Sequence, residues 1–346
     1  MVCVGWQHYG WAFTISGERF KKETPTGCQN RSLNSLRQAF LVSIYSLFLL
    51  SGFVIMYSAA QTEATTQFAS RFLLRRSIRI DPPYWFAIVI AIFLMFLKDR
   101  FYTASEVNFP SFTEIFAHIF YVQDLFGIQS ISSVFWTLCL EFQFYIIFAF
   151  IYQFYYFAHD RFRFYISKFL AISAMGLCFL GPFFRFSSFD IGVPGTILPY
   201  SYEFIFGVLT YFYINGSINW RWLLSAMIIS SIATTMYGPF YYNLVPILTV
   251  SVLIICTKSD IFSVLRSRIM LFFGKISYSF YLTHATVGWV SISIFIYLFE
   301  DFESGYITTA IFLSGIFVSV FFSVFFLYVI EIPSLKLSKR LKGGKI

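Results

Sequence analysis

Residues 135–157 read FWTLCLEFQFYIIFAFIYQFYYF, a run of 23 residues in which Glu141 is the one charged side chain. As a helix, a run of that length rises about 34 Å. That is enough to cross the roughly 30 Å hydrocarbon core of a bilayer. The pattern repeats in both directions. Measured against a requirement of roughly 20 apolar residues, candidate spans fall near 1–15, 38–58, 82–97, 135–157, 165–184, 195–214, 221–237, 242–257, 270–297 and 306–330. The predicted fold class is all-α, a polytopic integral membrane bundle of about ten transmembrane helices. Phe112 to Ile128 is apolar but carries Glu114, His118 and Asp124, so an interfacial or re-entrant helix is expected there rather than a further span. No repeat, low-complexity tract or soluble domain interrupts the pattern, and residues 1–346 read as a single membrane-embedded domain.

Composition agrees. Of 346 residues, 58% are hydrophobic and 12% charged, against roughly 45–50% and 25% in soluble domains. The 48 Phe, 23 Tyr and 7 Trp exceed what one globular core holds. They suit helices that face acyl chains and line a cavity between themselves. The five cysteines, Cys3, Cys28, Cys139, Cys178 and Cys256, form no CxxC pair, so neither a disulfide framework nor a zinc site is indicated. The formal charge of +8 lies in short basic clusters between apolar runs. Membrane orientation accounts for that placement, and nucleic acid is not an expected partner.

Lys and Arg are unevenly divided between alternate sides. Segments 58–81, 158–168, 215–221, 257–275 and 331–346 carry 17 of them, and the opposite segments 8. The positive-inside rule then predicts both termini in the cytoplasm. The 298–305 loop, with Glu300, Asp301 and Glu303, falls outside. The first candidate span is short. Met1 to Ile15 gives about 22 Å of helix, and no basic flank precedes it. A shallow, tilted helix is one reading and a chain begun too late is the other, so the first helix is expected to be truncated. It is not a signal peptide, because it has neither a charged n-region nor a small-residue cleavage site.

Ionisable groups at membrane depth cost at least a few kcal/mol unless they are paired or line a wet cavity. Here they are His8, Glu141, Glu203 and His284. His8 lies about two turns before the outer end of the first span, and Glu141 about two turns after the outer start of 135–157. On neighbouring helices the two would meet, and an imidazole held by a carboxylate can take a proton from a hydroxyl. An inter-helix hydrogen bond that only fastens the bundle is the plainer alternative, for Glu203 and His284 as well. Arg71, Arg75, Arg76 and Arg79 crowd the connection before Pro82-Pro83-Tyr84-Trp85. In a helical register Arg75 or Arg76 shares a face with Arg79. Two guanidinium forks so placed could grip a phosphate or diphosphate, although cytoplasmic anchoring also accounts for them. No metal signature, Gly-rich phosphate loop or GxSxG elbow is present.

At these residues the chain resembles the membrane-bound acyltransferase 3 family. The matching blocks occur in order: Gly5-Trp6-Gln7-His8-Tyr9; Leu50-Ser51-Gly52-Phe53; Arg75-Arg76-Ser77-Ile78-Arg79-Ile80-Asp81-Pro82-Pro83-Tyr84; Phe135-Trp136-Thr137-Leu138-Cys139-Leu140-Glu141-Phe142-Gln143-Phe144-Tyr145; and Gly274-Lys275-Ile276-Ser277-Tyr278-Ser279-Phe280-Tyr281-Leu282-Thr283-His284. The resemblance implies an O-acyltransferase. It would move an acetyl or other short acyl group from cytoplasmic acyl-CoA, a substrate rather than a bound cofactor, to a hydroxyl of a carbohydrate or lipid-linked glycan. A bacterial inner membrane is the implied location. His8 matches the family's catalytic histidine, Arg76 and Arg79 its RxxR motif, and Glu141 the acid of its WSLxxE block. Arg75, Trp136, Tyr145, Tyr278, His284 and Glu203 are further candidates.

Two departures stand out. The family's basic residue about ten positions before the histidine has no counterpart, since seven residues precede His8. The WSL serine is Thr137, which keeps the hydroxyl. A glycan or lipid flippase without chemistry, and a catalytically inactive family member, stay open as alternatives.

Overall fold

The run that opens the sequence reading is one uninterrupted helix over the same 23 residues, Phe135–Phe157. The computed structural model describes residues 45–62, 65–101, 108–187, 189, 193, 195–239, 241–258, 267–298 and 305–343. Among these the chain is all-helical, without a strand. The first predicted span, with His8, and the acids of 299–304 lie outside the described residues.

The elements in order are α1 (Tyr45–Ala60), α2 (Phe68–Phe101), α3 (Phe112–Ile119), α4 (Phe135–Phe157) and α5 (Asp160–Phe186). A 3-10 turn (Leu198–Tyr200) then leads into α6 (Ser201–Ile214), followed by α7 (Trp220–Tyr237), α8 (Tyr241–Lys258), α9 (Arg268–Leu298) and α10 (Gly305–Phe326). A π turn (Leu327–Glu331) joins α10 to α11 (Ile332–Gly343). Five of the described helical stretches are long and apolar enough to cross a membrane: Phe68–Leu97, Phe135–Phe157, Arg161–Phe186, Arg268–Ile296 and Thr309–Arg340. Much of their apolar surface lies outside any protein core, as with Phe317 and Phe321 of α10, 72% and 71% exposed. Water would not tolerate so much contiguous apolar surface, and hydrocarbon does. The chain is an integral membrane protein.

The start of α2 differs most from the sequence reading. The arginine-rich segment before Pro82 is not a connection, because α2 begins at Phe68 and carries both prolines inside it. Each proline lacks the N–H that would bond four residues back. The carbonyls of Ile78 and Arg79 therefore lose the donor four residues on, and Tyr278 OH bonds to the next carbonyl, that of Ile80. The Phe112–Ile128 segment also breaks as its charges require. Only eight residues are helical, about 12 Å, and a capping box closes their start. Glu114 N–H donates to Ser111 Oγ at 3.3 Å while Ser111 N–H donates to Glu114 Oε2 at 2.6 Å.

Contacts divide the chain into two compact units, one including Ser70–Cys139 and Leu265–Ile346, the other Leu140–Val264 with α1. Helix α4 passes from the first into the second after Cys139. In the first unit α9 packs along α10, and Thr283 of α9 shares a hydrogen bond with Ser323 of α10 at 3.1 Å.

In the second unit α5, α6, α7 and α8 surround a core of Leu49, Cys178, Tyr202, Phe206, Leu223, Ala226 and Val250. Helix α1 meets α6 backbone to backbone. A Cβ on Gly52 would stand 2.2 Å from the Phe204 carbonyl oxygen, and one on Gly207 would stand 2.0 Å from that of Leu49. No other residue type fits either position, which fixes the height of Ser51 beside its neighbours.

Candidate functional site

In the second unit Ser51, beside Gly52 on α1, brings a hydroxyl to Glu141. Ser51 Oγ donates to Glu141 Oε1 at 2.6 Å, and Tyr145 OH, one helical turn along α4, donates to the same oxygen at 2.5 Å. Two hydroxyls fix the carboxylate's plane through Oε1. Among the described residues Oε2 has no hydrogen-bond partner. A half-buried carboxylate so held can orient an imidazole or a substrate hydroxyl through its second oxygen. Gln143, on the far side of this turn, fastens the loop before α6. Its Nε2 donates to the Gly195 carbonyl at 2.8 Å, and its Oε1 accepts from Ile197 N–H at 3.0 Å.

Glu203, the other acid of this unit, has a different setting. Arg185 Nη1 meets its Oε1 at 3.0 Å, and the side chains are 5% and 0% exposed. Arg185 also donates to the hydroxyls of Tyr45 and Tyr202. Its guanidinium lies over the rings of Tyr45, Tyr200, Phe186 and Tyr242 at 4.2, 4.5, 5.2 and 5.6 Å. Such a cage of rings and one carboxylate satisfies a charge that has no water. The pair ties the end of α5 to the start of α6.

The arginines lie in the first unit, on the first three turns of α2. Arg75 is turned back on its own helix, its Nε donating to the Arg71 carbonyl at 3.1 Å. Arg76 lies over Phe72 at 5.5 Å. Arg79 is exposed. Neighbouring helices brace this segment through its backbone. Ser338 Oγ of α11 donates to the Arg75 carbonyl at 2.8 Å, and Tyr278 OH of α9 donates to that of Ile80 at 3.1 Å. Arg76 and Arg79 are three residues apart, and so present their forks on adjoining faces of one braced helix.

Beyond α3 the chain turns at Tyr121, whose φ of 58° is left-handed and unfavourable for a large side chain. Its ring stacks on Tyr84 at 4.6 Å, its OH donates to Asp81 Oδ1 at 3.0 Å, and its carbonyl accepts from Cys139 Sγ at 2.8 Å. These contacts hold the strained turn against α2. His118 pins the same segment with both ring nitrogens. Nδ1–H donates to the Glu114 carbonyl at 2.7 Å and Nε2 accepts from Ile131 N–H at 3.0 Å. Burial lowers its affinity for a proton, so it acts as a neutral structural ring.

Burial pushes the neighbouring Asp124 carboxyl up to about 7. The folded state keeps that proton to higher pH than the unfolded chain. This contribution to stability is complete below the ordinary carboxylate range near about 4 and is lost as the pH rises through about 7. Asp124→Asn removes the titration. The melting temperature of the variant in detergent is expected to stay level from about pH 4 to about pH 7, where that of the parent falls. A parallel fall in both proteins would remove Asp124 as its cause.

The remaining candidates sit in the first unit. Trp136 is half-buried in the first turn of α4. Thr137 Oγ1 and Tyr281 OH bond to each other, and both reach the Val134 carbonyl, at 2.9 and 3.1 Å. His284 directs Nδ1 at the carbonyls of Phe280 and Tyr281, 2.9 and 3.0 Å away. Because a carbonyl only accepts, the Nδ1 proton is fixed. The Phe280 ring stacks on the imidazole at 5.1 Å.

The described residues thus bring Glu141 together with Tyr145, and Tyr278 together with the arginine segment. Sequence reasoning missed Ser51 as a partner of Glu141 and Arg185 as the partner of Glu203. The predicted contact between His8 and Glu141 falls outside the described residues. The open apolar groove lined by Phe150, Phe154, Tyr165 and Phe169 lies between α4 and α5, away from every one of these groups.

A family model described as an acyltransferase domain matches residues 1–328. No curated protein and no solved structure matches the chain.

Proposed function

We propose, from the premise that the chain belongs to the membrane acyltransferase 3 family, that it moves an acetyl or other short acyl group from acyl-CoA to a hydroxyl of an envelope glycan. Arg76 and Arg79 grip the phosphates of CoA, with Arg75 beside them. His8, oriented by Glu141, removes the proton of the acceptor hydroxyl. The hydroxyl oxygen then bonds to the thioester carbonyl carbon, the carbon–sulfur bond breaks, and CoA leaves with its sulfur reprotonated. The observation that carries this reading is the Glu141 carboxylate, held through one oxygen by Ser51 and Tyr145, its second oxygen without a hydrogen-bond partner among the described residues.

The test is transfer of label. Membranes containing the protein, incubated with labelled acetyl-CoA, are expected to pass label into polysaccharide, and His8→Ala is expected to stop it while the protein still folds. Binding of acetyl-CoA without transfer would mean an inactive family member. Neither binding nor transfer would favour a flippase. Label transfer that survives in His8→Ala would remove that residue as the base.

A further inference from the structure

Helices α4 and α5 are joined by two residues, Ala158 and His159, and both are long and apolar enough to cross a membrane, so the chain turns between them at a membrane surface. From that corner an open groove runs back between the two helices. Its deeper part, about 530 Å³, is lined by Phe150, Phe154, Tyr165, Ile166 and Phe169. The part at the corner, about 360 Å³, shares Phe154, Tyr165 and Ile166 with it and adds Phe162 and His159. The rings of Phe150, Phe154 and Phe169 are exposed, so no described part of the chain covers the groove.

Two chemistries follow one another along this groove. Phe150 to Phe157 rise about 12 Å along α4, and over that length the walls are apolar and aromatic, a bed for a hydrocarbon chain. At the corner the groove becomes cationic. His159 Nδ1 accepts from Arg161 N–H at 3.4 Å, which leaves the ring proton on Nε2 as a donor. Arg161 and Arg163 stand about 100° to either side of Phe162 on α5. Arg163 reaches across the corner to α4, its Nη2 donating to the Tyr156 carbonyl at 2.6 Å and its guanidinium lying over the Tyr156 ring at 6.0 Å. Arg161 is exposed, and its guanidinium has no partner among the described residues. Residues 158–168 set Arg161, Arg163 and Lys168 against Asp160 alone, an excess of positive charge that favours a headgroup carrying no cation of its own. We infer that the α4–α5 groove is a binding site for an anionic phospholipid, with one acyl chain against the rings of Phe150, Phe154 and Phe169 and the phosphate at His159 and Arg161. The Lys and Arg count expects this corner on the cytoplasmic side, where anionic lipid gives the leaflet its negative potential. The lipid fills the space between two helices and so fastens their corner. The site shares no residue with the groups assigned to acyl transfer, and the inference stands apart from that reading.

The test uses the full-length protein, purified in detergent and given phosphatidylglycerol or phosphatidylcholine in mixed micelles. Native mass spectrometry is expected to show phosphatidylglycerol retained about tenfold more than phosphatidylcholine. Phosphatidylglycerol should also raise the melting temperature more, by an amount that shrinks as salt is added. Arg161→Gln changes an exposed side chain and is expected to cut the preference about fivefold. Phe154→Ala removes an exposed ring that lines both parts of the groove, and should lower retention of both lipids alike, by about threefold. Equal retention of the two lipids by the parent overturns the inference. An unchanged preference in Arg161→Gln, or unchanged retention in Phe154→Ala, does so too, since the lipid would then lie elsewhere. Glycerol phosphate that raises the melting temperature as much as phosphatidylglycerol does would also overturn it, because the site would then take a free phosphate without a chain.

Discussion

Arg185→Leu is expected to lower the stability of the protein by about 3–5 kcal/mol, the usual result of leaving one partner of a buried ion pair behind. The substitution strands the Glu203 carboxylate at 0% exposure. It also removes the cation over which the rings of Tyr45, Tyr200 and Tyr242 are gathered. Three segments then lose a common centre: α1, the 3-10 turn before α6, and the start of α8. Removing both charges, in Arg185→Leu with Glu203→Leu, should recover most of the loss, because no unpaired charge remains. Thermal unfolding of the purified protein measures both effects. A single variant that melts within a degree or two of the parent would mean that water reaches the pair and screens it.

The second large effect falls on turnover. Glu141→Gln keeps the shape of the side chain but not its charge, and is expected to reduce kcat by about a hundredfold or more. A neutral amide cannot balance an imidazolium as the carboxylate does. Ser51→Ala and Tyr145→Phe each remove one of the two hydroxyls on Oε1, and should slow turnover by about tenfold, with the double variant approaching Glu141→Gln. Full activity in Glu141→Gln would end its assignment. Loss there with none in either hydroxyl variant would mean that the carboxylate needs no brace.

The long helices were legible because hydrophobicity alone specifies them in a membrane. Helices α4, α7, α8 and α9 begin and end within two residues of the apolar runs that predict them. The start of α2 was not. Arginines followed by two prolines read as a connection, and what carries the helix through them is tertiary: Tyr278 on the Ile80 carbonyl and Tyr121 on Asp81. Ser51 lay within a recognisable block, but its partner is 90 positions away. Arg185 was hidden by its position at the end of an apolar run, where it counted as a loop charge. Each tyrosine around it is one of 23 with no distinguishing neighbour. Pairings across the bundle leave no local signature, and local periodicity is what a single sequence displays.

The π turn between α10 and α11 amounts to one surplus residue, and that residue works as a spacer. If one residue were deleted from the last regular turns of α10 while the π turn kept its five residues, everything after it would rotate by about 100° and draw back by about 1.5 Å. Ser338 would leave the Arg75 carbonyl, and Glu331 would turn away from the Ser279 hydroxyl that donates to it. Val329, 49% exposed, can be exchanged for another side chain without moving either contact. Along this stretch the residue count, more than the residue identities, is the inherited quantity, and an in-frame loss of one codon there would be felt at the arginines of α2.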